Sequence, residues 1–286
     1  MNPIARNLAT TLACVTFAFA ASRVAAQSSP APATPEAAQA TQIHRIGAAK
    51  LIVSDLAATQ AFYEQMFGMK EVAHYRAPDL YDEPIMGFAE GTRLALFQPK
   101  AEAALKKSQF PVVLIYTPDF DALTQKIEAA KHPLRRLAQA DSGTFKIAIA
   151  RDPSGNAVEI LSRPNNPVAV GGSKLIVDNR QKAEDFYTRV FGAKPGQRYN
   201  TATYDEVIMS LGSDGAWLAL FQPKAEPPLP KSRFAIVAIY TSDFDGVLKR
   251  VTTEGLGYRN VQSSTPGQRI IVAQDPGGNA VEIISR

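Results

Sequence analysis

Two closely similar segments of the chain each carry one glutamate that could do chemistry. DPSGNAVEILSR spans 152–163 and DPGGNAVEIISR spans 275–286, so Glu159 and Glu282 occupy matching places. A carboxylate in an apolar setting can act as a general base or as a ligand for a divalent metal ion. The Asp, Pro, Gly and Asn before each glutamate are typical of a tight turn. We interpret the turn as structural and Glu159 and Glu282 as candidate catalytic residues.

A lysine in each half of the chain is the candidate partner of these glutamates. In the strand-like segment AAKLIVSD, side-chain alternation puts Lys50 on the face opposite Leu51, and the same parity applies to Lys174. Because Leu51 suits a helix-packed face, both lysines should point into the space that Glu159 or Glu282 of the same repeat also faces. We hypothesise one Lys–Glu pair within each repeat. The alternatives are a purely structural ion pair and two side chains that snorkel to solvent.

Aromatic residues recur around these candidates. Together with Lys50 and Lys174, the predicted ligand-binding residues are Phe97, Tyr116, Phe221 and Tyr240. Aromatic walls with a few polar groups suit a small-molecule pocket, although the same residues could fill a collapsed core. YDEPIM (81–86) and YDEVIM (204–209) also repeat, and we interpret them as solvated turns. The alternative is that Tyr81, Asp82 and Glu83 form a loop that gates the pocket.

The elements that must position these residues are duplicated as well. KLIVSDLAATQAFYEQMFGMK (50–70) matches KLIVDNRQKAEDFYTRVFGAK (174–194), and LALFQPKAE occurs at both 94–102 and 218–226. Each copy predicts strand, helix and further strands, followed by a second such series. Asp55 and Asp119 are predicted helix N-caps, and Gly68 is predicted to end the first helix. We therefore predict two domains, at 43–163 and 169–286, joined by a connector at 164–168.

The N-terminal region is predicted to be a targeting segment and not part of either domain. Residues 1–26 combine Arg6, an apolar run and small residues before a cleavage point after Ala26, which is typical of a secretory signal peptide. A retained anchor helix is the alternative. The Pro/Ala-rich residues 27–42 predict a disordered linker. The protein is therefore expected in the periplasm or secreted, with no membrane association once the signal is cleaved.

Composition narrows the classes of function. The one cysteine, Cys14, lies in the predicted signal, so the mature chain would have no thiol nucleophile and no disulfide. The net charge of +4 is mild, and no basic block with interleaved aromatic residues predicts nucleic-acid binding. The duplication predicts an intramolecular pseudo-dimer, which allows the protein to be a monomer.

The order and spacing of these repeated motifs resemble the vicinal oxygen chelate superfamily, which includes glyoxalases, bleomycin resistance proteins and extradiol dioxygenases. The resemblance rests on SDLAATQAFYEQMFGM, YTPDFDAL and DPSGNAVEI, each with a counterpart in the second repeat. It implies an α+β fold of two tandem domains, each a pair of βαβββ units that form a curved mixed sheet around a cavity. It also implies a divalent metal in that cavity.

The ligand positions that the resemblance implies are mostly filled by residues that cannot bind a metal. They fall on Ala48, Ala95, Val112 and Glu159 in the first repeat and on Gly172, Ala219, Ile236 and Glu282 in the second. A catalytic metal needs about three protein ligands. His44 lies too far along its strand to substitute, and His74 and His132 are expected in a surface loop and a helix–strand connector. We predict that the metal sites are lost, with no cofactor, and that the lysine ammonium stands in for the missing cation.

Three functions remain open. The predicted loss of the metal sites and the predicted export both favour a protein that binds a small molecule in the sheet cavity. The first alternative is an enzyme of the glyoxalase or dioxygenase type, either metal-free with a Glu as general base or metal-dependent with ligands that the motifs do not reveal. The second alternative is a non-catalytic scaffold.

Overall fold

The computed structural model describes residues 43–101, 108, 110–137, 145–212, 215–224, 231 and 233–286. The predicted signal peptide and linker, residues 1–42, lie outside the described residues. Within the described ranges, no helix is both long enough and apolar enough to span a membrane.

In the described residues, each repeat contains two helices and eight strands. In the first repeat the helices are α1 (Leu56–Phe67) and α2 (Phe120–Ala129), and the strands are β1 (His44–Ile52), β2 (Lys70–Ala77), β3 (Tyr81–Gly87), β4 (Arg93–Pro99), β5 (Val113–Thr117), β6 (Leu134–Arg136), β7 (Ile147–Arg151) and β8 (Ala157–Ser162). In the second repeat the helices are α3 (Arg180–Phe191) and α4 (Phe244–Thr253), and the strands are β9 (Ala169–Ile176), β10 (Lys194–Asn200), β11 (Tyr204–Ser210), β12 (Trp217–Pro223), β13 (Val237–Thr241), β14 (Tyr258–Val261), β15 (Ile270–Gln274) and β16 (Ala280–Ser285).

The strands form two eight-stranded mixed sheets, which confirms the predicted α+β fold. The first sheet has the order β14-β15-β16-β13-β1-β4-β3-β2, and the second has the order β10-β11-β12-β9-β5-β8-β7-β6. Each sheet therefore combines the first unit of one repeat with the second unit of the other. The sequence motifs define the units but not this exchange of partners between repeats.

The exchange is made by pairs of strands near the centre of each sheet. β1 runs antiparallel to β13, and β5 runs antiparallel to β9. Backbone hydrogen bonds extend both pairings between the repeats. The Lys50 N–H donates to the Ile236 carbonyl, and the Lys174 N–H donates to the Val112 carbonyl, each at 3.0 Å. Both candidate lysines thus lie where the two repeats join.

The hydrophobic cores remain almost entirely within single repeats. One core buries Leu51, Phe62 and Tyr63 with residues of β5, β7 and β8 from the same repeat, and the second repeat has an equivalent core. The helix-facing side of each sheet supplies these residues. Since Leu51 and Val53 belong to the core, the parity predicted for Lys50 is confirmed.

Local sequence signals position the ends of the elements as predicted in most cases. The Asp55 carboxylate accepts from the Ala58 N–H at 3.0 Å, and Gly68 ends α1 with φ of 73°. Asp119 precedes α2 but makes no side-chain cap hydrogen bond. The tight turn at 152–156 is held by Asp152, whose carboxylate accepts from the Asn156 backbone N–H at 2.8 Å.

The prediction of a solvated turn at YDEPIM and YDEVIM is wrong, as is the alternative of a gating loop. Both segments are strands, β3 and β11, and Glu83 and Glu206 are buried. Pro84 of β3 has no N–H to donate to a ladder. Pro84 lies at a gap in the β3–β4 pairing: it is aligned with His74 of the edge strand β2, and the β3–β4 pairs stop at Asp82 and resume at Ile85.

Candidate functional site

A buried cluster of one lysine and two glutamates lies on the first sheet. Lys50 Nζ is 2.7 Å from Glu83 Oε1 and 2.7 Å from Glu282 Oε2. The three side chains come from β1, β3 and β16, which the sheet places on one face. Lys50 is only 5% exposed, so the predicted alternative of snorkelling to solvent is wrong.

The second sheet carries an equivalent cluster. Lys174 Nζ is 2.8 Å from Glu159 Oε2 and 2.8 Å from Glu206 Oε1. The lysine and Glu206 belong to the second repeat, and Glu159 belongs to the first. Lys174 is also 5% exposed.

The predicted Lys–Glu pairing exists, but its partners are exchanged. We expected Lys50 to face Glu159 and Lys174 to face Glu282, within each repeat. Instead Lys50 contacts Glu282, and Lys174 contacts Glu159. The physical reason is the antiparallel pairing of β1 with β13, which brings β16 of the other repeat beside Lys50.

Burial and charge act in opposite directions within each cluster. Burial alone would lower the pKa of Lys50, but the adjacent carboxylates of Glu282 and Glu83 more than offset it and hold the pKa above its usual range. Burial raises the pKa of Glu83 and of Glu206, against the lowering effect of the neighbouring lysine. The lysines are therefore charged, and Glu83 and Glu206 hold a proton more readily than an ordinary glutamate does.

A cavity of about 990 Å³ opens on the first sheet, with Lys50, Glu83 and Glu282 in its lining. Phe97 also lines it and lies 5.6 Å from Lys50 Nζ. Tyr81 stacks on Phe97 with ring centroids 5.1 Å apart, and Phe234 of the other repeat packs on Phe97 at 5.0 Å. The predicted assignment of Phe97 to a pocket wall therefore agrees with its position.

The second sheet has the same aromatic arrangement around Lys174. Phe221 lies 5.1 Å from Lys174 Nζ, stacks on Tyr204 at 4.9 Å and packs against Phe110 at 4.8 Å. Here too the third ring comes from the other repeat, since Phe110 belongs to the first.

Tyr116 and Tyr240 lie beside these clusters in a more closed setting. Tyr240 packs on a small buried group that includes Ala48, Ala95 and Ala238. Tyr116 accepts a hydrogen bond from Trp217 Nε1, and burial raises the pKa of Tyr116 to about 12. Both phenols are thus part of the site's flank and are protonated at neutral pH.

Comparison with known proteins identifies the family of the chain. A sequence profile of the glyoxalase/bleomycin resistance protein/dioxygenase superfamily matches residues 42–160 and 168–283. The chain belongs to this superfamily. It is 22% identical over 243 residues to lactoylglutathione lyase GLX1 of Arabidopsis thaliana, covering 79% of this chain and 86% of the relative. A lactoylglutathione lyase of Oryza sativa is 27% identical over 167 residues, covering 56% of this chain and 57% of the relative.

Solved structures of the superfamily share the fold. Glyoxalase I of Zea mays superposes with a TM-score of 0.71 at 22% identity, over 85% of this chain and 92% of that one. A putative dioxygenase of Bacillus subtilis superposes with a TM-score of 0.64 at 16% identity, over 85% and 86%. At these identities the likeness establishes the fold alone.

The residues around Lys50 do not make up the metal-ligand set that the superfamily implies. The corresponding positions hold Ala48, Ala95 and Ile236, and the fourth position, Glu282, is engaged by the ammonium of Lys50. The contacts of Lys50 bring together two carboxylates, one fewer than the about three protein ligands of a catalytic metal. Across the described ranges, no group of three or more His, Cys, Asp and Glu side chains is arranged to hold a metal ion.

The three histidines lie apart from the clusters. The expectation that His74 lies in a loop is wrong, because it is part of β2 and hydrogen-bonds Glu71 and Asp82. His132 follows α2, as expected, and its ring packs on Phe62 at 4.7 Å. His44 begins β1 and packs against Phe191 at 5.9 Å.

Sequence reasoning missed Glu83 and Glu206 as members of the clusters. The signal that could have found them is the exact repetition of Tyr-Asp-Glu in both copies, with a methionine three residues after the glutamate. In a strand, side chains alternate between the two faces, and both methionines, Met86 and Met209, are buried. If those methionines face the core, the glutamates three residues earlier face the cavity.

Proposed function

We propose that the protein binds a small organic molecule in the cavity of the first sheet and does so without a divalent metal. The observation that carries this proposal is the position of Lys50 Nζ, 2.7 Å from both Glu83 and Glu282. The ammonium neutralises the carboxylate that the superfamily would use as a metal ligand. A metal ion would have to displace a buried, doubly paired lysine, which carries a large energetic cost.

The size and walls of the cavity support binding rather than assembly alone. Its volume of about 990 Å³ lies at the upper end of the range typical of small-molecule pockets. Tyr81, Phe97 and Phe234 supply apolar surface, and the ion cluster supplies polar groups of fixed orientation. A scaffold would need no such open space beside a buried ion cluster.

Metal analysis of the purified protein tests the metal-free part of the proposal. We expect far less than one equivalent of zinc, nickel, manganese or iron per chain, both as purified and after incubation with each metal followed by desalting. The K50A variant, which frees both carboxylates, is the comparison. Stoichiometric metal in the wild-type protein would overturn this part.

A thermal-shift screen of small organic molecules tests the binding part. We expect ligands that raise the melting temperature of the wild-type protein and lose this effect when Phe97 is replaced in F97A. If no compound in a chemically broad set stabilises the protein, the scaffold alternative is favoured instead.

A second candidate is a metal-independent enzyme of the glyoxalase or dioxygenase type. One observation favours it, namely that burial raises the pKa of Glu83 beside the cavity, which makes this carboxyl a stronger base when ionised. The test is formation of lactoylglutathione from methylglyoxal and glutathione, with and without added metal. Turnover that E83Q and E282Q abolish would support the enzyme; absence of turnover alongside ligand binding would support the binding protein.

We further propose that the protein is exported and that its signal peptide is removed after Ala26. The support is the charge and hydropathy pattern of residues 1–26. Intact mass and N-terminal sequencing of protein from the native cell envelope or medium should give Gln27 as the first residue. A chain that retains Met1 would contradict cleavage.

A further inference from the structure

We propose that the chain binds an apolar ring system over the β14–β16 half of the first sheet and excludes it from the equivalent half of the second sheet. Three residues of the first sheet, Ala235, Val261 and Val272, make the difference, because their counterparts in the second sheet are larger. This inference rests on the proposed function, since it says which ligands the cavity admits and what limits them.

Small side chains form the floor of the cavity on its β14–β16 side. The floor residues share one buried apolar cluster, and all of them line the cavity: Ala235, Val261, Val272 and Ala280. They lie on the cluster face of the sheet, because Val272 is aligned with Glu282 and Ala280 precedes Glu282 by two residues. Side chains of this size leave the volume above the sheet open, so this half of the cavity can receive an apolar body.

The opposite side of the cavity is aromatic. Phe97 stacks on Tyr81 with ring centroids 5.1 Å apart and packs against Phe234 at 5.0 Å. The Lys50 cluster lies between the two sides, because β1 separates β13 from β4 in the sheet. The cavity of about 990 Å³ therefore offers apolar surface on both sides and has room for more than one ring.

The equivalent floor of the second sheet carries larger side chains. The two repeats align residue for residue here, so that Ala235 corresponds to Pro111, Val261 to Leu137 and Val272 to Ile149. Ile149 is aligned with Glu159, so its side chain lies on the cluster face of the second sheet. Each exchange adds hydrocarbon to that floor and removes volume above it.

The two sheets also differ at the end of this half. Gln274 is exposed and lines the cavity of the first sheet. Its counterpart Arg151 donates from Nη1 to the carbonyls of Ser108 and Gly155, both at 2.9 Å. These hydrogen bonds tie Ser108 to the turn that follows Arg151, so the second sheet is bridged at a place where the first is open.

Trp217 occupies further space on the second sheet. It lies on the face of Lys174, because it precedes Ala219, which is aligned with Lys174, by two residues. Its ring lies 6.1 Å from that of Tyr116, and its Nε1 donates to the Tyr116 hydroxyl. The equivalent residue of the first sheet, Arg93, donates to a backbone carbonyl instead. Larger side chains therefore flank the second lysine on both sides.

Calorimetric titration with two neutral probes tests the proposal: 2-naphthol and phenol, which differ by one fused ring. Three arginines also line the cavity, and neutral probes keep their charge out of the comparison. We expect one molecule of 2-naphthol per chain, bound about tenfold or more tightly than phenol, because the second ring adds buried apolar surface.

The first variant exchanges the floor. A235P/V261L/V272I gives the first sheet the side chains that the second sheet carries. It should weaken 2-naphthol about tenfold and leave phenol within about twofold, because only the larger probe needs the lost volume. The same fold already carries these residues at the equivalent positions, so the variant should fold, and circular dichroism verifies this.

A matched pair of variants assigns the sheet that binds. A280L and A157L make the same change at equivalent places, because Ala280 and Ala157 each precede the cluster glutamate of their strand by two residues. A280L should weaken 2-naphthol about tenfold or more, whereas A157L should leave its affinity within about twofold. If A280L does not fold, the floor exchange still decides the outcome.

The contrary results separate the inference from the proposed function. Two molecules of 2-naphthol per chain, equal losses in folded A280L and A157L, or an unchanged affinity after the floor exchange each overturn this inference while the proposed binding function stands. Failure of the folded wild-type protein to bind 2-naphthol also overturns the inference, and a negative broad thermal-shift screen then overturns the proposed function as well.

Discussion

Around Lys50 and around Lys174 the same residue types meet at nearly the same distances. Each ammonium lies 2.7 or 2.8 Å from two carboxylates and 5.6 or 5.1 Å from a phenylalanine ring. In both clusters one glutamate comes from the lysine's own repeat and the other comes from the partner repeat. The duplication has therefore kept an ion cluster that neither repeat can build alone.

The flanks of the two clusters differ much more. Tyr116 is hydrogen-bonded by Trp217 and lies 4.7 Å beneath Arg163, whereas Tyr240 lies 5.1 Å from Arg45. Trp217 is aligned with Gly172, whereas the equivalent Arg93 is aligned with Ala48. The centre is therefore duplicated faithfully, whereas its surroundings have diverged.

Loss of each lysine is expected to have the largest effect and tests whether the clusters are equivalent in energy. K50M and K174M each leave two buried carboxylates without their cation, so each should lower the free energy of unfolding by about 3–5 kcal/mol. Urea denaturation measures this loss. Equal losses would mean that the clusters are interchangeable in stability, and any difference would come from their flanks.

The matched control removes the charges together. K50M combined with E83L and E282M should recover most of the stability lost in K50M, because an apolar replacement leaves no uncompensated buried charge. A triple variant as unstable as K50M would mean that packing of the lysine, not its charge, stabilises the sheet.

Alanine substitutions at the glycines that lie under Tyr116 and Tyr240 should distinguish the flanks of the two clusters. A Cβ on Gly171 would lie 2.6 Å from a Tyr116 ring carbon, and one on Gly47 would lie 2.7 Å from a Tyr240 ring carbon. The Tyr116 ring is fixed by its hydrogen bond to Trp217, so G171A should cost about 2–3 kcal/mol and G47A about 1 kcal/mol. Thermal or urea unfolding checks the order; equal losses would contradict the idea that Trp217 restrains the second sheet.

How far the sequence predicts this molecule depends on whether an interaction is local. The caps at Asp55 and Gly68 and the turn at Asp152 follow from neighbouring residues, and the structure confirms them. The parity of Lys50 also follows from its own strand. The exchange of units between repeats does not, because β13 and β16 present the same residue types as their counterparts β5 and β8. Internal repetition makes the two pairings equivalent in sequence, and only the fold selects one.

The same limit explains the candidate site. The motif search found Lys50, Lys174, Glu159 and Glu282, and the cluster contacts join all four, though in exchanged pairs. Glu83 was assigned to a solvated turn, whereas it is a buried residue of β3. The roles predicted for these residues stay predictions until ligand binding or turnover is measured.

The pH dependence of stability should be alike in the two clusters. Burial raises the pKa of Glu83 and of Glu206 above the unfolded value of about 4.3. The stabilisation from the bound proton is thus full below about pH 4.3 and is lost as the pH rises through the folded-state pKa. E83Q and E206Q remove this titration, so each variant should gain stability relative to wild type between about pH 4 and about pH 7. Urea unfolding over that range measures the gain, and a flat difference in one variant would show that the two clusters are not equivalent.

The smallest expected effect lies at the outer strands, where His74 of β2 corresponds to Arg198 of β10. The hydrogen bond to Asp82 raises the pKa of His74, so its contribution is full below about pH 6.5 and is lost as the pH rises through the raised value. H74Q should remove a pH-dependent contribution of less than about 1 kcal/mol, as is usual for solvent-accessible pairs. Arg198 pairs with Glu184 and stays charged, so R198Q should lower stability by a similar small amount without any change in pH profile. A difference in stability between H74Q and wild type that stayed constant between about pH 6 and about pH 8 would show that the titration of His74 does not contribute to stability.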